Sequence, residues 1–418
     1  MRRLSVSLLP LLCLANAAPA APSGTCSLTL ANAHVWDGAT FQTRSLSVRG
    51  GIFVAPDAAL PSVDASAYYL IPPFADAHTH TIDTATGADD KVHARNLAAG
   101  IFYALNPNNI RPDGPNAPPT DTSVELQAAG GGITRPGGHP HPLYSFLARM
   151  SFLGPVKEAD LEGRAFHEVS TPPEARAAVR AVKANGASVV KLYLLAHGTA
   201  FSDGLTAENF RAAADEARKI GLRPLVHIET AADFRLAVAA RVAAIVHLPY
   251  KFSKTDPIGA DLMITAEDAR AAAAAKIVVV PTLTAGFTDY DGVQLATIQQ
   301  AQRHNLTLLR DAGVRIAVGA DNYRLGMHDE LALLRATALF EAPALINMAT
   351  TNGTQLAFAG RRVGTLDVGS EASFIAFFQS PASDWAGTRT PVEGMRAGHV
   401  LIDDIGLMAP ICSAASKQ

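Results

Sequence analysis

Residues 171–195, TPPEARAAVRAVKANGASVVKLYLL, contain one Ala-rich helix followed by one short apolar strand. Thr171 and Pro172 are typical of a helix start, and Gly186 is typical of a helix end. The apolar run that follows, Val189–Leu195, predicts a strand. A helix that leads directly into a short apolar strand is the repeating unit of a parallel α/β fold.

The same alternation continues on both sides of this stretch. Thr206 and Thr265 begin further helices, and Gly221 ends the first of them. The predicted strands are Tyr69–Phe74, Ile101–Leu105, a segment near Gly132–Thr134, Val189–Leu195, Pro224–Ile228, Ala243–Leu248, Ile277–Thr282 and Ile316–Gly319. Eight such units predict a (β/α)8 barrel over residues 69–360, because this fold usually needs about 250 residues. A doubly wound open sheet is the alternative, but no Gly-rich phosphate loop follows the first strand.

The composition argues against several classes of protein. Hydrophobic residues make up 48% and charged residues 17% of the 418 residues, which suits a large buried core. The net charge of −3 includes no basic excess, so a nucleic-acid partner is not expected. No apolar run reaches the roughly 18–20 residues of a membrane span. The composition therefore predicts neither a nucleic-acid partner nor a membrane span, and the oligomeric state, a homo-oligomer included, stays open.

Residues 1–20 have the layout of a secretory signal peptide. Arg2 and Arg3 precede an apolar stretch from Leu4 to about Leu14, and small residues follow, up to Ala20. Cleavage near Ala20 would make the protein secreted or periplasmic. An apolar N-terminal helix is the less favoured alternative.

Cysteine usage agrees with export. After cleavage only Cys26 and Cys412 remain, at opposite ends of the chain. An even pair in an oxidising compartment predicts a disulfide bond between them. Two small buried thiols are the alternative.

Polar side chains occur at the ends of several predicted strands, where the mouth of a barrel would gather them. They are His78 and His80 after the first strand, Lys191 in the fourth, His227 in the fifth, His247 in the sixth and Asp321 after the eighth. Two histidines at positions i and i+2 of a strand face the same side and can bind one metal ion. A lysine in an apolar strand is costly to bury unless its charge is paired or chemically changed.

This order of His-x-His, strand Lys, two strand His and strand Asp closely resembles the amidohydrolase superfamily. The resemblance is closest to the branch of imidazolonepropionase-like proteins and Xaa-Pro dipeptidases. It extends to Leu70-Ile71-Pro72-Pro73 and to the stretch from Thr351 to Leu366. It implies a distorted barrel beside a small β-sandwich, which residues 21–68 and 361–418 would form together.

The resemblance also implies an exported two-metal hydrolase that cleaves an amide-like C–N bond of a small peptide or an N-acyl amino acid. His78, His80 and Asp321 would hold one metal, and His227 and His247 the other. Lys191, carboxylated by CO₂, would bridge both as an anionic oxygen ligand. These ligand types suit Zn²⁺, and Mn²⁺, Co²⁺ and Fe²⁺ also bind them. Asp321 would move a proton between the metal-activated water and the leaving group.

Other candidate residues surround this set. Gly137-Gly138-His139 resembles a loop of the dipeptidase branch in which the histidine polarises the carbonyl, although Pro140 and His141 follow it here. We expect His141, Tyr193, Tyr323 and Arg324 to contact substrate, with His328 nearby. A solvated loop, a core aromatic and a surface turn are the alternatives for these positions.

Glu229 leaves a second function open. Mononuclear deaminases of the superfamily place a catalytic Glu near the fifth-strand His, usually as His-x-x-Glu, whereas the pattern here is His-x-Glu. A one-metal deaminase, or a cyclic-amide or lactone hydrolase, is therefore the alternative. A non-catalytic binding protein is a third class, which the complete ligand set argues against.

Overall fold

The computed structural model describes residues 24–82, 90–110, 118–195, 203–250, 261–285, 292–385 and 387–415. The predicted signal peptide, residues 1–20, lies outside the described residues. Among the described helices, none combines the length and apolar character needed to cross a membrane.

The strands fall into two groups, one from the ends of the chain and one from its middle. In chain order they are β1 (Leu28–Trp36), β2 (Phe41–Arg49), β3 (Ile52–Val54), β4 (Ser62–Asp64), β5 (Tyr69–Ile71), β6 (Phe74–Asp76), β7 (Ile101–Asn106), β8 (Glu125–Ala128), β9 (Gly132–Thr134), β10 (Phe166–Glu168), β11 (Val189–Tyr193), β12 (Arg223–His227), β13 (Ala244–Val246), β14 (Val278–Val280), β15 (Arg315–Ile316), β16 (Phe374–Phe377), β17 (Glu393–Arg396) and β18 (His399–Asp403).

Most helices follow strands of the middle group. In chain order the helices are α1 (Asp90–Ala98), α2 (His141–Arg149), α3 (Pro172–Ala184), α4 (Ala207–Lys219), α5 (Ala231–Ala239), α6 (Ala266–Ala274), α7 (Gly292–Asp311), α8 (Met327–Ala336), α9 (Ala342–Asn347), α10 (Gly353–Ala357) and α11 (Ala409–Ala415). The predicted helix starts are confirmed for α3, α4 and α6. In each the side chain of the preceding threonine accepts a hydrogen bond from a backbone N–H of the first turn.

The middle strands form two parallel sheets. One has the order β10-β9-β11-β12-β13-β14-β15 and the other the order β6-β7-β8. The sheets adjoin at one edge through the short link from β8 to β9. At the other edge the backbone N–H of Ala77 donates to the carbonyl of Val318, and that of Asp321 donates to the carbonyl of His78, both at 2.8 Å. The result is a barrel-like α/β architecture.

The end strands form one sheet of eight strands within the described ranges. Its order is β18-β17-β16-β5-β1-β2-β3, with β4 beside β1. β16 pairs antiparallel with β5, so that Ala376 lies opposite Leu70. The C-terminal segment thus completes the sheet that the N-terminal segment begins, as a composite of both chain ends.

The predicted first strand, Tyr69–Phe74, is two strands in the structure. Pro72 and Pro73 interrupt it, because neither can donate a ladder hydrogen bond. β5, before the prolines, belongs to the sheet of the chain ends, and β6, after them, pairs with β7 in a parallel sheet. The proline pair therefore marks the point where the chain passes from one sheet to the other.

Cys26 and Cys412 form a disulfide bond in the structure, with their Cα atoms 4.9 Å apart. The bond joins residues 386 positions apart in the chain. It therefore ties α11, near the C-terminus, to the residues just before β1.

Replacement of Cys26 by Ser is expected to lower the free energy of unfolding by on the order of 5 kcal/mol in the chain-entropy model, because the closed loop is long. Denaturant unfolding of the oxidised protein measures the loss. Cys412→Ser should cost the same, and the double variant no more than either. Two free thiols in the exported protein, counted under denaturing and non-reducing conditions, would contradict the bond.

Candidate metal centre

The side chains after β6 and β15 meet at the strand ends. The Nε2 atoms of His78 and His80 lie 3.3 Å apart. Oδ1 of Asp321 lies 3.3 Å from the first and 3.2 Å from the second. Two ligand atoms bound tetrahedrally to one zinc ion at 2.0–2.1 Å are separated by about 3.3 Å. The three side chains therefore fit the ligand set of a single ion.

His247, which follows β13, directs its Nε2 atom towards Asp321. Its Nδ1 lies 2.5 Å from the hydroxyl oxygen of Thr282, which donates its own proton to the carbonyl of Pro281 at 2.8 Å. The Nδ1 of His247 must therefore carry the proton, which leaves Nε2 with its lone pair. This Nε2 is buried, makes no hydrogen bond within the described residues and lies 3.5 Å from Oδ2 of Asp321. A buried nitrogen in this state is typical of a metal ligand.

Asn106 gives His80 the same tautomer. Oδ1 of Asn106 lies 3.1 Å from Nδ1 of His80 and also accepts the backbone N–H of Asn108 at 3.0 Å. Because an amide oxygen only accepts, Nδ1 of His80 is the donor and Nε2 carries the lone pair.

The backbone around the centre is strained. His247, Thr282 and Asp321 have φ values of 75°, 49° and 46°. Non-glycine residues seldom adopt this left-handed conformation, and its cost is of the order of 1–3 kcal/mol each. Gly319 lies close to the backbone of His78, where a Cβ atom would come within 2.5 Å of the amide nitrogen. The strand ends are thus drawn together at the site.

Lys191 lies in β11 and is 1% exposed. Burial lowers the pKa of its ammonium group to about 7, although Asp321 opposes the shift. A large part of the lysine is then the neutral amine, which is the form that reacts with CO₂. The Nζ atom lies 5.4 Å from the ring centre of Tyr193, two residues further along the strand on the same face.

The charges of the site favour metal ligation. Burial holds the pKa values of His78 and His247 well below the usual value, helped most by Lys191 at His78 and by His227 at His247, so both rings are neutral. Burial would raise the pKa of Asp321, but His80, His247 and Lys191 together bring it below its ordinary value. Neutral imidazoles and an ionised carboxylate are the protonation states that bind metals.

His227, at the end of β12, lies on the other side of His247, with ring centres 4.2 Å apart. Glu229 is buried, and its Oε1 lies 3.6 Å from Nε2 of His227. His139 and Tyr193 also face this side, with ring centres 5.5 Å from that of His227. The structure therefore brings all six predicted metal ligands, His139 and Tyr193 into one region.

The remaining predicted residues are placed differently. Nδ1 of His141 lies 2.5 Å from Glu168, and its ring stacks on Phe166. Nε2 of His328 lies 3.1 Å from the carbonyl of Ala99. These contacts hold the side chains of both histidines outside the set of candidate metal ligands.

Tyr323 lies closer to the centre. Its ring centre is 6.5 Å from that of His80, and the side chain is 60% exposed. Tyr323 and Arg324 line a cleft that reaches Asp76. Tyr323 therefore lies at the rim of the centre, and Arg324 lies in the adjoining cleft.

The supporting residues Asn106 and Thr282 were not predicted from the sequence. Asn106 is the last residue of β7, and Thr282 comes two residues after β14. The strand-end rule that selected the ligands would have selected them too, had it been applied to amides and hydroxyls.

Comparison with known proteins identifies the family of the chain. The model of the amidohydrolase family matches residues 69–401. No curated protein sequence matches the chain. A Xaa-Pro dipeptidase with bound methionine in its active site is 17% identical, with a TM-score of 0.67 over 90% of this chain and 99% of that one. A putative prolidase from Bifidobacterium longum is 19% identical, with a TM-score of 0.68 over 94% and 100%.

A third similar structure is the A. niger ochratoxinase. It is 17% identical, with a TM-score of 0.70 over 90% of this chain and 96% of that one. At such identities the solved structures show a shared fold, whereas the family match covers most of the sequence. The chain therefore belongs to the amidohydrolase family of hydrolases.

Proposed function

We propose that the protein is an exported hydrolase with two divalent metal ions, which cleaves an amide-like C–N bond in a small peptide or an N-acyl amino acid. The observation that carries the proposal is the convergence of His78, His80, Asp321 and His247, with 3.2–3.5 Å between Asp321 and each histidine. Four potential ligands at these distances are of little use to a binding protein that holds no metal.

The chain's own residues suggest how two ions are shared. His78, His80 and Asp321 would hold one ion, and His227 and His247 the other. Lys191, as a carbamate, would lie between them and would no longer be a buried cation. Nitrogen and oxygen ligands of this kind favour Zn²⁺ among the available metals.

The reaction needs a nucleophile, a polarised carbonyl and a proton carrier. Bound metals would supply a water of lowered pKa and a Lewis acid. The carboxylate of Asp321 would accept the proton of the attacking water and return it to the leaving amine, which departs poorly without a proton. Its two oxygens lie between the histidines of both halves of the site, which suits this transfer.

His139 is the residue we assign to the carbonyl oxygen. Its ring lies against Tyr193 and His227, with centres 5.3 Å and 5.5 Å away. Its backbone N–H lies 3.3 Å from a carboxylate oxygen of Asp203, which anchors the loop. An imidazole held here can donate a hydrogen bond to charge that develops on the substrate.

His139→Gln is expected to lower kcat about 10- to 100-fold with a smaller change in KM, because the interaction strengthens in the transition state. His141→Gln is the matched control, since His141 lies two residues further along the chain, at the start of α2, and its side chain contacts Glu168. Steady-state kinetics on both variants measure the difference. Equal effects of the two substitutions would remove His139 from the reaction.

Glu229 favours a second candidate, a one-metal deaminase or a cyclic-amide or lactone hydrolase. Its carboxylate is buried beside His227, where it could act as a general acid or base. In a deaminase Lys191 would have no role as a carbamate. The release of ammonia from a purine, a pyrimidine or an amidine would identify this class.

The test of function combines metal analysis with a substrate screen. The purified protein should contain divalent metal and should hydrolyse members of a panel of Xaa-Pro and other dipeptides, N-acyl amino acids and lactones. Hydrolysis of lactones alone, or release of ammonia without amide cleavage, would support the second candidate. N-terminal sequencing of the exported protein tests the predicted cleavage near Ala20.

A further inference from the structure

Asn108, just after β7, is buried among hydrogen-bonding groups from three neighbouring parts of the chain. Its Oδ1 accepts the backbone N–H of Gly132 at 2.6 Å and the hydroxyl of Tyr193 at 3.2 Å. Its Nδ2 donates to the carbonyl of Ala165 and to the hydroxyl of Tyr144, both at 2.9 Å. These four contacts use both lone pairs and both protons of the amide, so its orientation is fixed.

The backbone at Gly132 leaves room for this contact. A Cβ atom at this position would lie 2.4 Å from the ring of Tyr193 and 2.5 Å from Oδ1 of Asn108. Tyr193 therefore crosses directly over β9 to reach Asn108 at the end of β7. A side chain at position 132 would push the ring back towards the centre.

The contact decides which part of Tyr193 faces the site. The hydroxyl donates its single proton to Asn108, whereas the ring lies 5.3 Å from His139 and 5.5 Å from His227, centre to centre. The Nζ atom of Lys191 is 5.4 Å from the same ring. The aromatic ring of Tyr193 thus faces three candidate site residues, whereas its hydroxyl points away from them.

A second contact links Asn108 to the other half of the centre. Its backbone N–H donates to Oδ1 of Asn106 at 3.0 Å, the oxygen that also meets Nδ1 of His80 at 3.1 Å. Asn106 and Asn108 are both fully buried. The short segment from Asn106 to Asn108 therefore contacts both His80, a candidate ligand of the first metal, and Tyr193, which lies beside the candidate ligands of the second.

We propose that Asn108 is a positioning residue, which holds the ring of Tyr193 against Lys191, His139 and His227 and turns its hydroxyl away from the substrate. The proposal rests on the proposed function, because it assigns a role relative to that centre. It refines the sequence-based expectation that Tyr193 contacts substrate, because it assigns that contact to the ring and not to the hydroxyl.

A double-mutant cycle on kcat tests the proposal, with Asn108→Ala, Tyr193→Phe and the double variant. Asn108→Ala should lower kcat about 100-fold, as expected when reacting groups are misplaced by about 1 Å. Tyr193→Phe should lose only about two- to tenfold, the usual worth of one neutral hydrogen bond, because the ring still lies against Gly132, which Asn108 continues to hold. The double variant should be no worse than Asn108→Ala, because the hydroxyl acts only through Asn108.

Tyr144→Phe is the matched control, since it removes another hydroxyl from Asn108 without touching Tyr193. Thermal unfolding shows which variants fold, and the visible spectrum of the Co²⁺-loaded proteins reports on the ligands. Positioning predicts a changed spectrum and lower kcat in folded Asn108→Ala. A purely structural role predicts a lower Tm with the spectrum and kcat unchanged, which would overturn the proposal.

If Asn108→Ala does not fold, the kcat of Tyr193→Phe tests the positioning proposal by itself. A loss of about 100-fold or more in kcat would mean that the hydroxyl acts on the substrate, and the proposal would be wrong. Gly132→Ala, whose Cβ atom would clash with the ring of Tyr193 and with Oδ1 of Asn108, should lower kcat at least tenfold by moving both. Wild-type protein that neither binds Co²⁺ nor cleaves an amide would instead refute the proposed function.

Discussion

Asp321→Asn is expected to lower kcat by roughly 10²–10⁴-fold, the range that general acid–base groups typically contribute. Asparagine keeps the size of the side chain and one oxygen, but it can neither accept the proton of water nor pass it on. The pKa of the carboxylate it replaces lies below its ordinary value, so the group is ionised. The change removes both a charge and a proton carrier from the centre of the site.

Comparing an amide substrate with an ester substrate separates the loss of the charge from the loss of the proton carrier. An amide needs a proton on its leaving nitrogen, whereas an ester with a good leaving group does not. The loss of kcat in Asp321→Asn should therefore be larger for amides. Equal losses on amide and ester would leave Asp321 as a ligand only. Asp311→Asn is a suitable control, because Asp311 is exposed and paired with Arg310.

Lys191→Ala is expected to lose metal and activity together. The lysine is buried beside the ligand histidines, and as a carbamate it would supply an oxygen to both ions. Short carboxylates such as acetate or propionate, added with metal, should restore part of the rate by entering the vacated space. Metal content and kcat, measured on the same preparation, check both expectations.

Lys191→Met separates the chemistry from the packing. Methionine fills much of the volume that alanine leaves empty, so the loss of stability from a cavity is reduced. It offers no oxygen, and we expect it to lose metal as Lys191→Ala does. Full activity with two bound metals in either variant would refute the bridging role. A one-metal site of His78, His80, Asp321 and one further histidine would then explain the geometry.

The parts of the fold that depend on local sequence were predictable. Helix starts such as Thr171, Thr206 and Thr265 carry their own hydrogen-bond acceptor, so the sequence alone locates them. The choice of sheet is different, because it depends on partners far away in the chain. The passage at Pro72-Pro73 shows this, since β5 and β6 look like one apolar run until their partners are known.

The candidate site divides in a similar way. Lys191 stands out in the sequence because a buried ammonium is costly, and the strand-end histidines stand out by position. The contacts that orient them do not stand out, because Asn and Thr near a strand end are also common turn residues. His141 shows the converse, since only the structure reveals that Glu168 and Phe166 hold it.

The metal content of the purified, exported protein tests the central claim most directly. Elemental analysis should find about two divalent ions per chain, with Zn²⁺ foremost, and amide hydrolysis should disappear on chelation and return when metal is restored. Protein that hydrolyses amides at full rate with no bound metal would contradict the claim.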